Sequence, residues 1–171
     1  EVKFKDDADK SVSVDTVPPV VLESIQARDE YVGRVPTSLD VAGHALDYAY
    51  YAGETFFLYG QFALARARFE PMYKEQCGKS KFGYLAWEKL ITMSNLTKDL
   101  ERSTKLAEEA KSKACAADQA RKGKKALNTN PTLQEASYVR ARAKFEEAKA
   151  APPGDGKNKL WREAGGLYEA A

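Results

Sequence analysis

The chain has 171 residues, of which 43% are hydrophobic and 30% charged, and this balance excludes a chain that is disordered throughout. Its 27 basic residues nearly match its 25 acidic residues, so the net charge of +2 gives no reason to expect nucleic acid or an anionic membrane as a partner. No run of about eighteen apolar residues occurs in the sequence, which argues against a membrane-spanning helix.

An N-terminal extended arm with a short helix is predicted for residues 1–35. Residues 1–17 are rich in charge and then alternate serine with valine, so they carry no helical stripe. Two prolines end this stretch, and residues 20–32 are predicted to form the short helix. Residues 36–171 are predicted to form a separate helical domain.

Two helices joined by a tight turn at Gly60 are predicted to follow. Ser38 is a candidate N-cap for the first helix, whose periodicity runs to Tyr59. The second helix is predicted to run to about Lys74. Small side chains stand where the two backbones must approach, and large ones stand where the helices interlock. The small residues are Gly53 and Ala65, and the large ones are Phe56, Phe62 and Phe69.

The second helix carries a set of three side chains that returns twice along the chain. The sets begin at Ala65, Ser103 and Ala141, an interval of 38 residues each time. Two successive returns at one interval indicate an internal repeat. The sets are Ala65, Phe69 and Met72, then Ser103, Ala107 and Ala110, then Ala141, Phe145 and Ala148.

The first helices of the later units are predicted to be less regular. Residues 82–91 form a strongly apolar helix that we expect to break at Ser94 and Asn95. Residues 116–127 have almost no large apolar side chain, so their helix is expected to be poorly anchored. Thr132 is placed to start a long second helix in that unit.

The spacing of a fourth segment is the most regular. Trp161, Ala164, Gly165 and Tyr168 follow the pattern W-x2-L-G-x2-Y, and Ala52, Gly53 and Phe56 follow the same pattern with Ala49 in place of the tryptophan. This spacing resembles the tetratricopeptide repeat, a helix-turn-helix unit of 34 residues. The resemblance implies an all-α fold, a right-handed α-solenoid of stacked antiparallel helix pairs. The implied repeats span about residues 38–79, 80–115 and 116–155, with a partial fourth at 156–171.

A partner-binding groove is what the resemblance implies for the first helix of the first repeat. Asp47, Tyr50, Glu54 and Phe57 match positions that point into the concave groove of this family, where rings beside carboxylates would hold a protein or peptide. The alternative is that some of these rings pack on residues 20–32. Tyr50 and Glu54 depart from the Lys and Asn of the family's carboxylate clamp, so a C-terminal carboxylate is not expected as the ligand.

The two cysteines, Cys77 and Cys115, occupy equivalent positions at the ends of two second helices. Neighbouring helices of a stack lie about 10 Å apart, whereas a disulfide needs Cα atoms within about 7 Å. A bridge therefore needs flexible helix ends, to which Gly78 contributes. A disulfide would suit an oxidising compartment, and two free thiols are the alternative.

A cluster of basic residues surrounds the start of the third unit, with Asp118 as the single nearby acid. A solvated helix face is one interpretation, and a docking site for an acidic partner or lipid headgroups is the other. The cluster lacks interleaved aromatic residues, so it does not predict nucleic-acid binding. Its members are Lys111, Lys113, Arg121, Lys122, Lys124 and Lys125.

Catalytic chemistry is not expected from this sequence. His44 is the one histidine, and no cysteine stands at metal-ligand spacing from it. The sequence holds no glycine-rich phosphate loop, no G-x-S-x-G and no H-E-x-x-H motif. No enzyme activity, metal or cofactor is therefore predicted.

The function expected from these features is a noncatalytic scaffold that binds a protein or peptide in its groove. The first residue Glu1 in place of Met, the paired cysteines and the N-terminal arm resemble exported repeat proteins of the bacterial cell envelope. Such proteins serve assembly, secretion, lipoprotein-linked and gliding-motility machines, so a periplasmic location is expected, with the cytoplasm as the alternative. Membrane contact is expected only through a parent protein or the basic cluster.

Two alternative functions remain open at this point. One is a regulatory or docking module of a larger enzyme, which the partial fourth repeat suggests. The other is a peripheral module that binds anions or a membrane surface through the basic cluster. The sequence does not predict the oligomeric state.

Overall fold

The computed structural model describes residues 4–5, 11–12, 16–36, 38–112 and 131–169. The predicted all-α fold class is confirmed. Besides helices, the described residues contain two strands of two residues, β1 (Phe4–Lys5) and β2 (Ser11–Val12), which pair antiparallel near the N-terminus. Seven helices lie in these described ranges. They are α1 (Pro19–Arg34), α2 (His44–Leu58), α3 (Phe62–Gln76), α4 (Lys81–Leu96), α5 (Leu100–Ser112), α6 (Pro131–Ala150) and α7 (Asp155–Glu169).

The chain divides into two compact units, Glu1–Met93 and Ser94–Ala171. The first unit contains α1, α2, α3 and most of α4. The predicted domain boundary between residues 35 and 36 falls inside this unit. The N-terminal helix therefore belongs to the same compact unit as the first predicted repeat.

The core of the first unit forms where α2 and α3 pack antiparallel. A Cβ atom added to Gly53 would lie 3.1 Å from the ring of Phe69, so the glycine lets that ring approach the backbone of α2. Phe57 and Phe62 form the next ring contact towards the turn, at 5.8 Å between centroids. The predicted small and large contacts of this hairpin are thus present. Buried core residues of the unit include Ile25, Ala52, Phe56, Leu64, Ala65, Phe69, Tyr73, Trp87, Leu90 and Ile91.

The turn of the first helix pair has a close counterpart 38 residues later. Gly60 adopts a left-handed backbone with φ of 71°, and Lys98 adopts φ of 59°. Glycine takes this conformation without steric cost, whereas lysine pays about 1 kcal/mol or more. The flanking helix ends keep the same interval, with Leu58 and Leu96 closing α2 and α4 and Phe62 and Leu100 opening α3 and α5.

The third predicted repeat does not keep the turn at this interval. The interval of 38 residues would place the turn at Ala136, which instead lies buried inside α6. Helix α6 begins at Pro131, and this confirms the long helix that was predicted to start near Thr132. The extra turns at its N-terminus distinguish α6 from α3 and α5.

The start of α2 differs from the prediction, because the helix begins at His44 and not after Ser38. Asp40 sets this start. Its Oδ1 accepts a hydrogen bond from the backbone N–H of His44, and its Oδ2 accepts one from that of Ala45, each at 2.9 Å. The hydroxyl of Tyr31 donates to Oδ1 at 3.0 Å. Asp40 therefore satisfies two of the N–H groups that a helix leaves open at its N-terminus.

Helix α1 is docked on the first hairpin, so this part of the N-terminal segment is packed and not a free arm. Ile25 is fully buried, and Arg68 of α3 binds Asp29 through two N–O contacts of 2.6 Å. The strand residue Phe4 is also buried, with its ring edge-to-face on Phe56 at 4.9 Å. The predicted short helix is confirmed and is slightly longer than expected.

The predicted break at Ser94 and Asn95 falls slightly early, because α4 ends at Leu96. Both side chains are buried in the helix. The hydroxyl of Ser103 donates to Oδ1 of Asn95 at 2.6 Å. This bond satisfies part of the amide, so the polar pair is accommodated in the last turn of α4.

Helices α6 and α7 of the second unit both bury small residues. Ala141 and Ala148 are fully buried on α6, and Ala164 is 1% exposed on α7. The ring pairs run in opposite order along the two helices, which shows that α6 and α7 are antiparallel.

Candidate functional site

Four aromatic side chains form two ring pairs on the α6–α7 hairpin. Tyr138 contacts Tyr168 at 5.8 Å between ring centroids, and Phe145 contacts Trp161 at 5.0 Å, both edge-to-face. Each pair member stands seven residues from the next on its own helix, so the rings line one side of each helix. Tyr138 is 51% exposed and the other three are 37–38% exposed. We name these four residues the aromatic face.

The aromatic face is exposed because α3 packs on α2, whereas no described helix packs in the same way on α7. Gly53 of α2 lies under the ring of Phe69. Gly165 has the matching position in α7, between Trp161 and Tyr168, yet no described residue lies within 4 Å of the position its Cβ would take. The side of α7 that corresponds to the α3-binding side of α2 is therefore open among the described residues.

The predicted groove residue Tyr50 is only 6% exposed. Its ring lies 5.5 Å from that of Phe69 and 5.6 Å from that of Phe82, and its hydroxyl donates to Oε1 of Glu54 at 3.3 Å. Burial, together with the negative charge of Glu54, raises the pKa of Tyr50 far above its ordinary value. Tyr50 therefore stays neutral and presents little surface to a partner in this structure.

Lys89 of α4 covers the other two predicted groove residues at the centre of α2. Its Nζ lies 2.8 Å from Oε1 of Glu54 and 4.7 Å from the centroid of the Phe57 ring. The structure thus brings Tyr50, Glu54 and Phe57 together around contacts with α4. Asp47, the fourth residue, is partly exposed in the first turn of α2.

Two exposed residues of α2 were missed in the sequence. Tyr51 is 48% exposed and Leu58 is 74% exposed. Each directly follows a predicted groove residue, and a helix turns by about 100° per residue, so the open side of α2 is rotated by one position from the predicted side. The contacts with α4 determine which side of α2 is exposed, and the sequence pattern of α2 alone does not predict them.

The remaining predicted sites lie partly outside the described residues. Cys77 is disulfide-bonded, while Cys115, its predicted partner, lies outside the described residues, so their pairing stays a prediction. Lys111 belongs to the last turn of α5, and its side chain is not described. The rest of the basic cluster, Lys113, Arg121, Lys122, Lys124 and Lys125, lies outside the described residues.

His44 is exposed at the start of α2, and its ring stacks on Tyr48 at 5.6 Å between centroids. Within the described ranges, no three His, Cys, Asp or Glu side chains are grouped so that they could hold a metal ion. The described helices also include none with the length and hydropathy needed to cross a membrane.

Comparison of the chain with protein-family models, with curated proteins and with solved structures finds no match. The resemblance to the tetratricopeptide repeat therefore rests on the spacing of this chain's own residues. The most direct structural counterpart of that spacing is the contact of Gly53 with Phe69.

Proposed function

We propose that this protein is a noncatalytic scaffold of tetratricopeptide-repeat type that binds another protein through its helical hairpins. The proposed architecture is a right-handed solenoid of stacked antiparallel pairs. The antiparallel packing of α2 on α3 and the matching turns at Gly60 and Lys98 support it. So do the contacts that Phe82 and Lys89 of α4 make with α2, because in such a solenoid each first helix packs on the preceding one.

The observation that carries the proposed function is the exposure of the aromatic face. Aromatic side chains dominate the binding energy of protein interfaces, because they bury a large area at a small cost in side-chain entropy. Here four rings hold one another in edge-to-face pairs while more than a third of each stays accessible. A partly exposed array of this kind suits an apolar segment of a partner protein.

A second exposed stripe, which is the alternative site to the aromatic face, runs along α2. Asp47, Tyr51, Glu54 and Leu58 follow the spacing i, i+4, i+7 and i+11, so they share one side of the helix. Tyr51 and Leu58 supply the exposed apolar area, and Asp47 supplies a partly exposed carboxylate. This stripe replaces Tyr50 and Phe57 as the accessible part of the predicted groove.

We also propose an exported, oxidising location, as in a bacterial cell-envelope assembly. The disulfide at Cys77 supports this location, because disulfides persist in oxidising compartments and are rare in the cytosol. The packed N-terminal helix is compatible with either location. A cytoplasmic protein would instead be expected to keep Cys77 reduced.

The experiment that tests the function compares two equally exposed tyrosines. The full chain is immobilised and partners are captured from the cells that make it, using wild type, Tyr138→Glu and Tyr51→Glu. A charge placed among the aromatic rings is expected to lower capture of the specific partner about tenfold or more, since it removes roughly 1.4 kcal/mol or more of binding free energy. Tyr51→Glu is expected to bind as wild type does.

The two variants distinguish a wrong choice of binding surface from a wrong function. Loss of capture with Tyr51→Glu alone would move the site to the stripe on α2 and leave the scaffold function standing. Unchanged capture with both variants would contradict a role for either surface. Both side chains are about half exposed, so both variants should retain the helical content of wild type, measured by circular dichroism.

A further inference from the structure

A cleft in the second unit contains an arginine whose hydrogen-bonding groups are poorly satisfied. The cleft has a volume of about 320 Å³. One residue of α5, four of α6 and one of α7 line it, so three helices contribute to its wall. These residues are Leu100, Arg140, Ala143, Lys144, Glu147 and Leu167.

Arg140 has only long hydrogen bonds to two hydroxyl groups. Its Nη1 lies 3.5 Å from Oγ1 of Thr104, and its Nη2 lies 3.5 Å from Oγ of Ser137. The Nε atom is buried without a hydrogen-bond partner. The hydroxyl of Thr104 already donates to the carbonyl of Leu100 at 2.7 Å. A guanidinium carries five N–H donors, so Arg140 retains capacity for a strong acceptor.

The other cation of the cleft is already neutralised. Nζ of Lys144 lies 2.7 Å from Oε2 of Glu147 and 3.5 Å from Oε2 of Glu163. The hydrogen bond that Lys144 donates to Glu147 raises the pKa of Lys144, so the lysine remains protonated and paired. Among the described residues no carboxylate forms a salt bridge with Arg140. Its positive charge is therefore the one left uncompensated in the cleft lining.

The rest of the lining is apolar. Leu100, Ala143 and Leu167 line the same cleft as Arg140. An apolar wall excludes water and strengthens an ion pair formed beside it. The volume is at the lower end of the range for small-molecule sites, so a group of about six carbon atoms suits it better than a large ligand.

We propose that this cleft binds a carboxylate carried on a short aliphatic chain. Arg140 would hold the two carboxylate oxygens with its planar fork of N–H groups, and the aliphatic chain would lie against Leu100 and Leu167. The same chemistry is offered by a free aliphatic carboxylic acid and by a glutamate side chain with aliphatic neighbours in a partner protein. In the second case this site rests on the proposed function.

The test is a titration of the full ¹⁵N-labelled chain followed by NMR. Hexanoate is expected to shift the Nε–Hε signal of Arg140 and the amides of Leu100 and Leu167 in a saturable manner, with Kd of about 1 mM for so small a ligand. Hexanol, the neutral match, is expected to bind at least about tenfold more weakly. Arg140→Gln should weaken hexanoate about tenfold or more, and Arg142→Gln, an exposed arginine of the same helix, should not.

A second pair of ligands distinguishes the two sources of the carboxylate. The capped peptide Leu-Glu-Leu and its Leu-Gln-Leu counterpart are titrated in the same way. Tighter binding of the glutamate peptide than of hexanoate would identify a partner protein as the source, whereas the reverse order would identify a free acid. Either order supports the site.

Three results would overturn the site. Hexanoate and hexanol binding equally would remove the role of the charge, and Arg140→Gln binding as wild type would remove the role of this residue. Inorganic phosphate binding as tightly as hexanoate would show that charge alone acts. If Arg140→Gln alters the fold, Arg140→Lys keeps the charge without the fork and is expected to bind severalfold more weakly than wild type. Tyr138→Glu should leave hexanoate binding unchanged, so failure of the aromatic face remains distinguishable.

Discussion

Asp40 controls where α2 begins, because its two carboxylate oxygens accept the backbone N–H groups of Ala45 and His44 and the hydroxyl of Tyr31. The bond from Ala45, followed by those from His44 and Tyr31, outweighs partial burial and lowers the pKa of Asp40 below its ordinary value. The folded state therefore favours the carboxylate. This stabilisation is fully present above the unfolded pKa of about 3.9 and is lost as pH falls through the lower folded pKa.

We expect Asp40→Asn to lower the melting temperature by a few degrees at pH 6, because an amide oxygen cannot replace both carboxylate acceptors. The difference from wild type should shrink as the pH falls below about 4. Thermal melts of both proteins at pH 6, 4 and 2 measure this. Glu75→Gln, at an exposed position of α3, controls for the loss of one negative charge. A difference that persists undiminished in acid would contradict the role given to Asp40.

Gly83 is required by a close backbone approach between α3 and α4. A Cβ atom there would lie 2.5 Å from the carbonyl oxygen of Gln76 and 2.7 Å from the backbone nitrogen of Cys77. Backbone cannot rotate away as a side chain can, so we expect Gly83→Ala to lower the free energy of unfolding by about 2 kcal/mol or more. Urea unfolding measures the change.

Gly33 of α1 is the matched control for Gly83. No described residue lies within 4 Å of the position of its Cβ, and its backbone is helical. Alanine at Gly33 is expected to raise the free energy of unfolding by about 0.5 kcal/mol or more, since it restricts the unfolded chain. Equal effects of the two substitutions would show that the contact at Gly83 is not the cause.

Some residue contacts could be predicted from the sequence and others could not. Gly53 and Phe69 were predicted as a small and a large contact residue, and they do pack together, because this choice depends only on two adjacent helices. Tyr50 was predicted to face a partner and is instead buried beside Phe82 of α4. That contact depends on a third helix, whose position a local pattern does not specify.

At the scale of elements, α1 is joined to the first hairpin by an ion pair. Arg68 and Asp29 make two contacts of 2.6 Å, and the guanidinium also lies 5.1 Å from the ring centroid of Phe56. Both charged side chains are at least about two thirds buried. A bidentate pair of this geometry is stronger than a typical surface pair.

We expect a double-mutant cycle of Asp29→Ala and Arg68→Ala to give a coupling energy of about 1 kcal/mol. The pair Arg34 and Glu30 lies within α1, with side chains 78% and 63% exposed. Its coupling energy is expected to be below about 0.5 kcal/mol. Urea unfolding of both cycles provides the comparison. A coupling energy at Asp29 no larger than at Glu30 would contradict the docking role of this pair.

The element boundaries were predictable where one residue determines them. Gly60 ends the first helix because its left-handed backbone suits glycine. The same reasoning missed Lys98, which adopts the same conformation without being glycine. It also placed the end of α4 at Ser94 and Asn95, slightly before its observed end at Leu96. The hydrogen bond of Asn95 with Ser103 of α5 depends on tertiary structure and is not contained in a local pattern.

At the scale of the whole molecule, the disulfide at Cys77 connects stability with the redox state of the compartment. With two cysteines in the sequence, alkylation before reduction should modify neither thiol, and alkylation after reduction should modify both. Reduction is expected to lower the free energy of unfolding by about 2–4 kcal/mol. Peptide mapping should identify a Cys77–Cys115 crosslink. Modification of Cys77 without reductant would contradict the disulfide.

The repeat spacing predicted some residues of the aromatic face and missed others. Trp161 and Tyr168 carried the clearest repeat pattern in the sequence, and both lie in the aromatic face. Tyr138 was not singled out, because the extra N-terminal turns of α6 that place it opposite Tyr168 are not part of the repeat spacing. The general class of surface was predictable, but its position on the last hairpin required the structure.

The most direct test of the central claim, that the aromatic face binds a protein partner, is site-specific photocrosslinking in the cells that make the protein. The photoreactive residue benzoylphenylalanine replaces Tyr168 in one experiment and Tyr59 in the other, two tyrosines that are 38% and 39% exposed. We predict one defined protein adduct at position 168 that disappears when Tyr138→Glu is added, and no such adduct at position 59. The same adducts at both positions, or an adduct at position 59 alone, would contradict the account.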